Sequence, residues 1–242
     1  MRTIYTLLIA LLLTSCSNAQ VKSTGVKEDL SLKYLVKEPA KSTATTPVII
    51  LLHGYGSNEA DLFDLAGQLP PDAVVISARA PLTLGNNSFA WYPIDRANAG
   101  TEHAATVEKA RQQILQFIDE VAKKYHTQAP HIYLMGFSQG AIMSLSIAMT
   151  QPDKIRGIAV MSGRLLEEIK PQITTADKIN KVAIFIGHGT EDKVLPITDG
   201  RYEHSFLDNM KVKNEYHEYK MVHTISIEEL SDIQKWLANL IK

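Results

Sequence analysis

The sequence predicts an α/β fold, a mostly parallel central sheet with helices on both faces. Short, continuous apolar runs alternate along the chain with segments of helical period. That is the pattern left by strands buried on both sides and joined by right-handed crossovers. At one junction the apolar run 131–135 passes through Gly136-Phe137-Ser138-Gln139-Gly140 into a helix-like stretch. That order is a strand, a sharp turn carrying the serine, and a helix, and the glycines are needed where strand and helix cross too closely to leave room for a Cβ.

In chain order, residues 32–37 read as an opening strand and 47–52 as a doubly covered parallel strand. Residues 58–69 are expected to be helical, with Leu62, Leu65, Ala66 and Leu69 on one face, and 73–77 forms another short buried strand. Residues 81–100 are expected to be irregular, a length of loop that implies a role. An amphipathic helix over 104–125 places Val107, Ala110, Ile114, Phe117, Ile118 and Val121 at helical spacing. After the serine turn come a helix over 141–149, strands over 155–161 and 182–186, a helix over 199–210, a strand over 215–221 and a closing helix over 226–241. Ser226-Ile227-Glu228-Glu229 begins that helix as a capping box. Ligands of such sheets bind at the carboxyl ends of the strands.

With 45% apolar side chains, the 242 residues suit one domain with a substantial core. Lysine and arginine number 25 against 26 acidic residues, and no basic patch is present to track phosphates, so nucleic acid is not an expected partner.

The N-terminus is separately informative. Met1-Arg2-Thr3 is a short positive segment, residues 4–13 are apolar, and Leu13-Thr14-Ser15 runs into Cys16, the only cysteine. The apolar stretch is too short for a permanent membrane span and has the proportions of a secretory signal. Its ending resembles a bacterial lipoprotein signal, which implies that residues 1–15 are removed and that Cys16 carries lipid; ordinary secretion with cleavage near Ala19 is the alternative. Residues 16–29, polar and aperiodic, would be a tether and 30–242 the folded domain. The expectation is an exported protein anchored through lipid to a bacterial membrane, on its periplasmic or cell-surface face. With Cys16 lipidated, no thiol is left for a disulfide.

A serine hydroxyl becomes a useful nucleophile when a base takes its proton and a carboxylate holds that base in the right tautomer. The strand, serine turn and helix resemble those of an α/β-hydrolase, in which the order is serine, acid, histidine; that likeness leaves His204, His217 and His223 as bases. His204 falls in a helical pattern and His217 in mid-strand, where packing or solvation accounts for them. His223 falls on a loop between the last strand and the last helix. The acid belongs on the loop after residues 182–186, where Glu191 and Asp192 are adjacent and spacing does not separate them. His188 lies near Asp192 in sequence, but no ligand spacing supports a metal and none is expected.

Several short segments in order resemble the phospholipase/carboxylesterase family of α/β-hydrolases, which includes acyl-protein thioesterases and small bacterial carboxylesterases. Leu51-Leu52-His53-Gly54-Tyr55-Gly56 resembles its L-H-G-x-G loop, and Ser77-Ala78-Arg79-Ala80-Pro81 with Trp91-Tyr92 its A-x-A-P and W-Y segments. Gly136 to Gly140 matches G-F-S-Q-G, and His188-Gly189 with Asp192 and Pro196 resembles H-G-x-x-D-x-V-x-P. The likeness runs from about Tyr34 to the C-terminus. It implies an α/β-hydrolase fold with Ser138 as nucleophile, Asp192 as acid, His223 as base and Glu191 at a variable place. It also implies an oxyanion hole made by the backbone N–H groups of Tyr55 and Gln139, and no cofactor. One departure is Val222, where relatives often carry glycine; a β-branched residue there is expected to keep an extended backbone.

The expected function is a serine carboxylesterase acting on small carboxylic esters through an acyl-enzyme on Ser138. Thioesters or lysophospholipids are alternatives within the class, and an inactive surface-anchored binding protein is the alternative outside it. After signal and tether, little length remains for a large cap domain, so an open cleft with loop walls is expected. Trp91 and Tyr92 are candidates for its apolar, substrate-binding wall, unless they pack beneath the loop instead.

Overall fold

The computed structural model describes residues 25–94 and 101–241. Cys16, the expected signal and most of the expected tether lie outside the described residues, as does the end of the 81–100 loop.

Fourteen elements of regular strand and α-helix follow one another along the described chain. The first four strands are β1 (Tyr34–Lys37), β2 (Val48–Leu52), β3 (Val74–Ala78) and β4 (Leu82–Gly85). After β5 (Ser88–Ala90) come α1 (Thr101–Lys124), β6 (Ile132–Phe137), α2 (Gln139–Thr150), β7 (Gly157–Met161) and α3 (Ala176–Ile179). The chain closes with β8 (Ala183–Gly189), α4 (Ile197–Asn209), β9 (Glu215–Tyr219) and α5 (Ile227–Leu240).

Seven strands form one sheet in the order β1-β3-β2-β6-β7-β8-β9. Only β1 runs antiparallel to its neighbour; β2 with β3, and β2 through β6, β7 and β8 to β9, are parallel. The predicted sheet is therefore the observed one. Because β2 leads to β3 on one side while β6 and all later strands lie on the other, the strand order reverses between β2 and β6. The crevice for a ligand opens at such a reversal, above the carboxyl ends of the strands.

Alternation along the strands divides the core into two layers. Val48, Ile50 and Leu52 of β2 face the cluster that holds Val107, Ile114 and Phe117 of α1 and much of α2. Ile49 and Leu51 face the other cluster, with Leu62 and Phe63 and with Ile233, Trp236 and Leu237 of α5. All five β2 residues are fully buried, and each such aliphatic side chain contributes about 1.5–3 kcal/mol.

Two expectations are corrected here. The segment 58–69 is not an α-helix but a 3-10 helix over Leu62–Gln68, with Leu62, Phe63 and Ala66 buried. Gly67 disfavours a longer helix and Pro70-Pro71 stops it, so a tighter turn delivers the same apolar residues to the core. The start of the 81–100 loop is not irregular: β4 and β5 form a small antiparallel hairpin, turned at Asn87 with φ 53°. The closing helix does begin with a serine cap, the Ser226 hydroxyl accepting the Glu229 N–H at 3.1 Å.

Candidate active site

Ser138 occupies the turn between β6 and α2 with φ 53° and ψ −116°, a backbone that costs energy for any residue with a Cβ. Two contacts show why glycine flanks it. A Cβ on Gly136 would lie 2.3 Å from the Gly140 carbonyl oxygen, and one on Gly140 would lie 1.9 Å from that of Leu52. The turn is held by the Ser138 N–H donating to the Met161 carbonyl of β7 at 3.0 Å.

The three residues expected to act together are brought together. His223 Nε2 lies 2.9 Å from Ser138 Oγ, and His223 Nδ1 lies 2.6 Å from Asp192 Oδ2. Asp192 projects from the loop after β8 and its carboxylate is fully buried. Its other oxygen accepts the N–H groups of Val194 and Leu195 at 2.8 and 2.9 Å, which fixes the carboxylate and its loop at once. The acid and base loops are laced together, Thr190 N–H to Tyr219 O at 2.8 Å and Glu191 N–H to Met221 O at 3.0 Å. Val222 is not among the residues with left-handed backbone, as its branched side chain requires, so the loop reaches His223 without a glycine.

The rival histidines are engaged elsewhere. His204 bonds the Asn214 side chain at 2.8 Å and stacks on Tyr216, while His217 bonds Glu215 at 2.9 Å and stacks on Phe185. His188 is buried beneath the acid loop, its Nε2 donating to the Leu195 carbonyl at 2.9 Å, so it props the loop from below. Glu191 is exposed and takes no side-chain part in the triad.

The Tyr55 loop follows β2 and the Gln139 turn follows β6, adjacent strands of the sheet. Among the described residues neither backbone N–H is used by another acceptor. Their positions are set by a buried network that sequence reasoning missed. The Gln139 side chain accepts the Trp91 N–H at 2.8 Å and donates to the Tyr92 carbonyl at 2.7 Å. The Trp91 indole N–H in turn donates to the His53 carbonyl at 2.9 Å. His53 Nε2 accepts the Ala80 N–H at 3.1 Å, so Nδ1 carries the ring proton and donates to the Gly54 carbonyl at 2.8 Å. Burial lowers the His53 pKa below the usual imidazole value and keeps it neutral. Holding the Gly54 carbonyl on one side turns the Tyr55 N–H of the same planar peptide to the other.

Ser138, Gln139, Tyr55 and His223 open on a cleft of about 900 Å³. Tyr92 lines it with Ile94, Ile142 and Val194. Trp91 does not: only 2% exposed, it lies under the loop and faces His53. Of the expected pair only Tyr92 lines the cleft, because the Trp91 indole N–H has a carbonyl to satisfy in the interior. Arg164 and Lys193 also line the cleft, and neither was singled out from sequence. The signal for Arg164 was available, since Ser162-Gly163 directly follows the apolar run of β7 at the carboxyl edge.

A sequence model of the family described as Phospholipase/Carboxylesterase matches residues 35–241. Acyl-protein thioesterase 1 of Yarrowia lipolytica is 30% identical over 225 residues, covering 86% of this chain and 97% of its own. Among solved structures, esterase PE8 superposes with a TM-score of 0.73 at 25% identity, over 85% of this chain and 97% of that one. The carboxylesterase from Mesorhizobium loti reaches a TM-score of 0.76 at 21% identity, over 89% and 98% of the two chains, a likeness of fold.

Proposed function

We propose that this chain, which belongs to the phospholipase/carboxylesterase family of hydrolases, cleaves small carboxylic esters through an acyl-enzyme on Ser138. The observation that carries the reading is the continuous hydrogen-bonded series from Ser138 through His223 to Asp192. His223 Nε2 takes the hydroxyl proton as Oγ attacks the ester carbonyl, and the oxyanion formed accepts the N–H groups of Tyr55 and Gln139. Collapse breaks the ester C–O bond, and the alcohol leaves with the proton from His223. A water molecule then gives its proton to His223 and attacks the acyl carbon, releasing the carboxylic acid and restoring Ser138. Asp192 holds the imidazole with Nε2 toward serine throughout and stabilises the imidazolium.

A neutral fluorophosphonate tests this directly, because only an activated serine reacts. Wild-type protein should label, and Ser138→Ala should abolish labelling and lower ester turnover by roughly three to six orders of magnitude. Equal labelling of the two would place the nucleophile elsewhere, and no labelling of the wild type would leave the inactive binding protein. A second reading, thioester hydrolysis, is favoured by the relative named acyl-protein thioesterase 1. Rates on matched oxygen esters and thioesters across chain lengths separate the two.

Export and membrane anchoring through Cys16 form the remaining part of the proposal and rest on the Leu13-Thr14-Ser15-Cys16 sequence. Among the described residues no helix is long and apolar enough to cross a membrane. Several acyl chains on one N-terminal residue anchor stably where one chain does not. Detergent should be needed to extract the native protein, and Cys16→Ser should abolish lipid attachment. A mature N-terminus near residue 20 without lipid, read by mass spectrometry, would refute the anchor.

A further inference from the structure

The cleft around Ser138 carries more positive charge than ester hydrolysis requires. Arg164 and Lys193 both line it and are exposed, and among the described residues neither makes a side-chain hydrogen bond or an ion pair. The carboxylate on the same lining, Glu168, is tied to His103 Nδ1 at 2.9 Å. A second carboxylate, Asp199, feels the Arg164 charge but forms no bond with it, and burial holds its carboxyl above the usual range. Among the described residues the two cations thus line the cleft without a bonded partner of their own.

Arg164 is there because the backbone is locked to present it. Ser162 holds φ 51°, a strained conformation for a serine that persists only when its surroundings impose it. Its N–H donates to the Gly187 carbonyl of β8 at 2.8 Å, and one residue earlier the Met161 carbonyl accepts the Ser138 N–H. Gly163 is pressed against the core, where an added Cβ would lie 2.6 Å from Val160 Cγ1 and 3.1 Å from the Ala141 Cβ. The turn that carries Arg164 is therefore pinned to the nucleophile turn on one side and to β8 on the other. Lys193 comes from the next strand's loop, between Asp192 and Val194, and its backbone is held by the same bonds that fix the acid. The backbone that carries each cation is thus tied to the turns of the reacting residues, one through Met161 and one through Asp192.

Resting on the ester reading above, we propose that the preferred substrates are esters bearing a carboxylate, which Arg164 receives with Lys193 beside it. A guanidinium fork matches the two oxygens of a carboxylate and keeps its charge at all working pH. Glu168 and Asp199 nearby make a monoanion more acceptable than a dianionic phosphate. The apolar Ile142 and Val194 on the same lining suit the short hydrocarbon part between the carboxylate and the ester.

Two matched substrate pairs test this. On the leaving-group side, 3-acetoxybenzoate is compared with 3-acetoxybenzamide; on the acyl side, mono-(4-nitrophenyl) adipate is compared with 4-nitrophenyl hexanoate. The quantity read is the ratio of kcat/KM for the anionic over the neutral member, which is internal to each variant and insensitive to a general loss of activity. In the wild-type enzyme the ratio should reach roughly 5- to 50-fold in one pair at low ionic strength, the range between an exposed ion pair and a charge-assisted hydrogen bond. It should shrink toward one in about 0.5 M salt as screening shortens the reach of both cations. Arg164→Gln should collapse the ratio, Lys193→Gln should reduce it, and Arg164→Glu should turn it below one. A ratio near or below one in both pairs, with brisk hydrolysis of the neutral esters, overturns the carboxylate preference alone. An undiminished ratio in the Arg164→Gln, Lys193→Gln double variant overturns it too. Hydrolysis of no member of either pair, with no fluorophosphonate labelling, overturns the ester reading and this preference with it.

Discussion

The indole N–H of Trp91 donates to the main-chain carbonyl of His53 at 2.9 Å, and the Trp91 backbone N–H bonds the Gln139 side chain at 2.8 Å. One tryptophan thus joins the two loops whose N–H groups are proposed to receive the oxyanion. A positioning role would act on the reaction through the backbone of Tyr55 and Gln139. Trp91→Phe keeps a ring in the core but leaves the His53 carbonyl unsatisfied, which costs about 1–3 kcal/mol of stability. If the bond also sets the oxyanion donors, kcat should fall about tenfold with KM within about twofold, since a donor lost outright costs 10²–10³. Steady-state kinetics beside a thermal melt check this: a lower Tm with unchanged kcat would leave Trp91 a purely structural role.

The adjacent carboxylates Glu191 and Asp192 should separate cleanly. Asp192 is buried and bonds His223 Nδ1 at 2.6 Å, whereas Glu191 points to solvent. Asp192→Asn presents an amide that favours the wrong imidazole tautomer and should lower turnover by roughly a thousandfold or more. Glu191→Gln should stay within about threefold of wild type, since a lone exposed charge contributes little. Ester turnover of the two purified variants decides it, and the reverse ranking would reassign the acid.

Three of the four histidines later than Ser138 give a second such test. His223→Ala removes the group 2.9 Å from Ser138 Oγ and should lower turnover by roughly three orders of magnitude or more. His204→Ala and His217→Ala lose stacking on Tyr216 and Phe185. They should cost about 0.5–1.5 kcal/mol of stability with activity kept. An inactive His204 or His217 variant that still melts normally would move the base.

The parts legible in the sequence are those that local chemistry determines. A continuous apolar run such as Val48–Leu52 reads as a doubly covered strand because every residue must be buried, and it is. Ser138 was visible because its turn needs glycine at 136 and 140, where any Cβ collides with backbone. His223 was singled out by where it falls between a strand and a capped helix. What the sequence hid depends on side chains meeting across the fold. Residues 58–69 carry the apolar spacing of a helix, and the weight of Gly67 and Pro70-Pro71 against it shows only in the 3-10 turn over Leu62–Gln68. Trp91 reads as a cleft aromatic until its N–H is seen to need the His53 carbonyl, which lies 38 residues away. Gln139 reads as a backbone donor, and nothing in its local sequence announces that its side chain grips residues 91 and 92.

The capping residue Glu229 gives a prediction about stability and pH. The Ser226 hydroxyl accepts the Glu229 N–H at 3.1 Å, and the Glu229 side chain turns inward, filling the space where Gly187 lacks a Cβ. Burial pushes its carboxyl pKa up to about 8, only partly offset by the Ser226 backbone N–H. In the unfolded chain the same group titrates near the ordinary glutamate value of about 4.3. Between those two values the folded protein holds a proton that the unfolded chain has released, so the stability contribution of this group declines as pH rises from about 4.3 to about 8 and then levels off. Glu229→Gln presents a neutral side chain of the same shape at every pH and keeps the backbone cap. It should match wild type near pH 4 to 5 and exceed it by on the order of a few kcal/mol at pH 8, equivalent to roughly 5 °C or more in Tm. Thermal melts of the two proteins across that range measure the difference directly. A gap that stays constant with pH, or that widens toward acid, would show that Glu229 is ionised in the folded protein and that its burial is compensated by water or by a movement of β8.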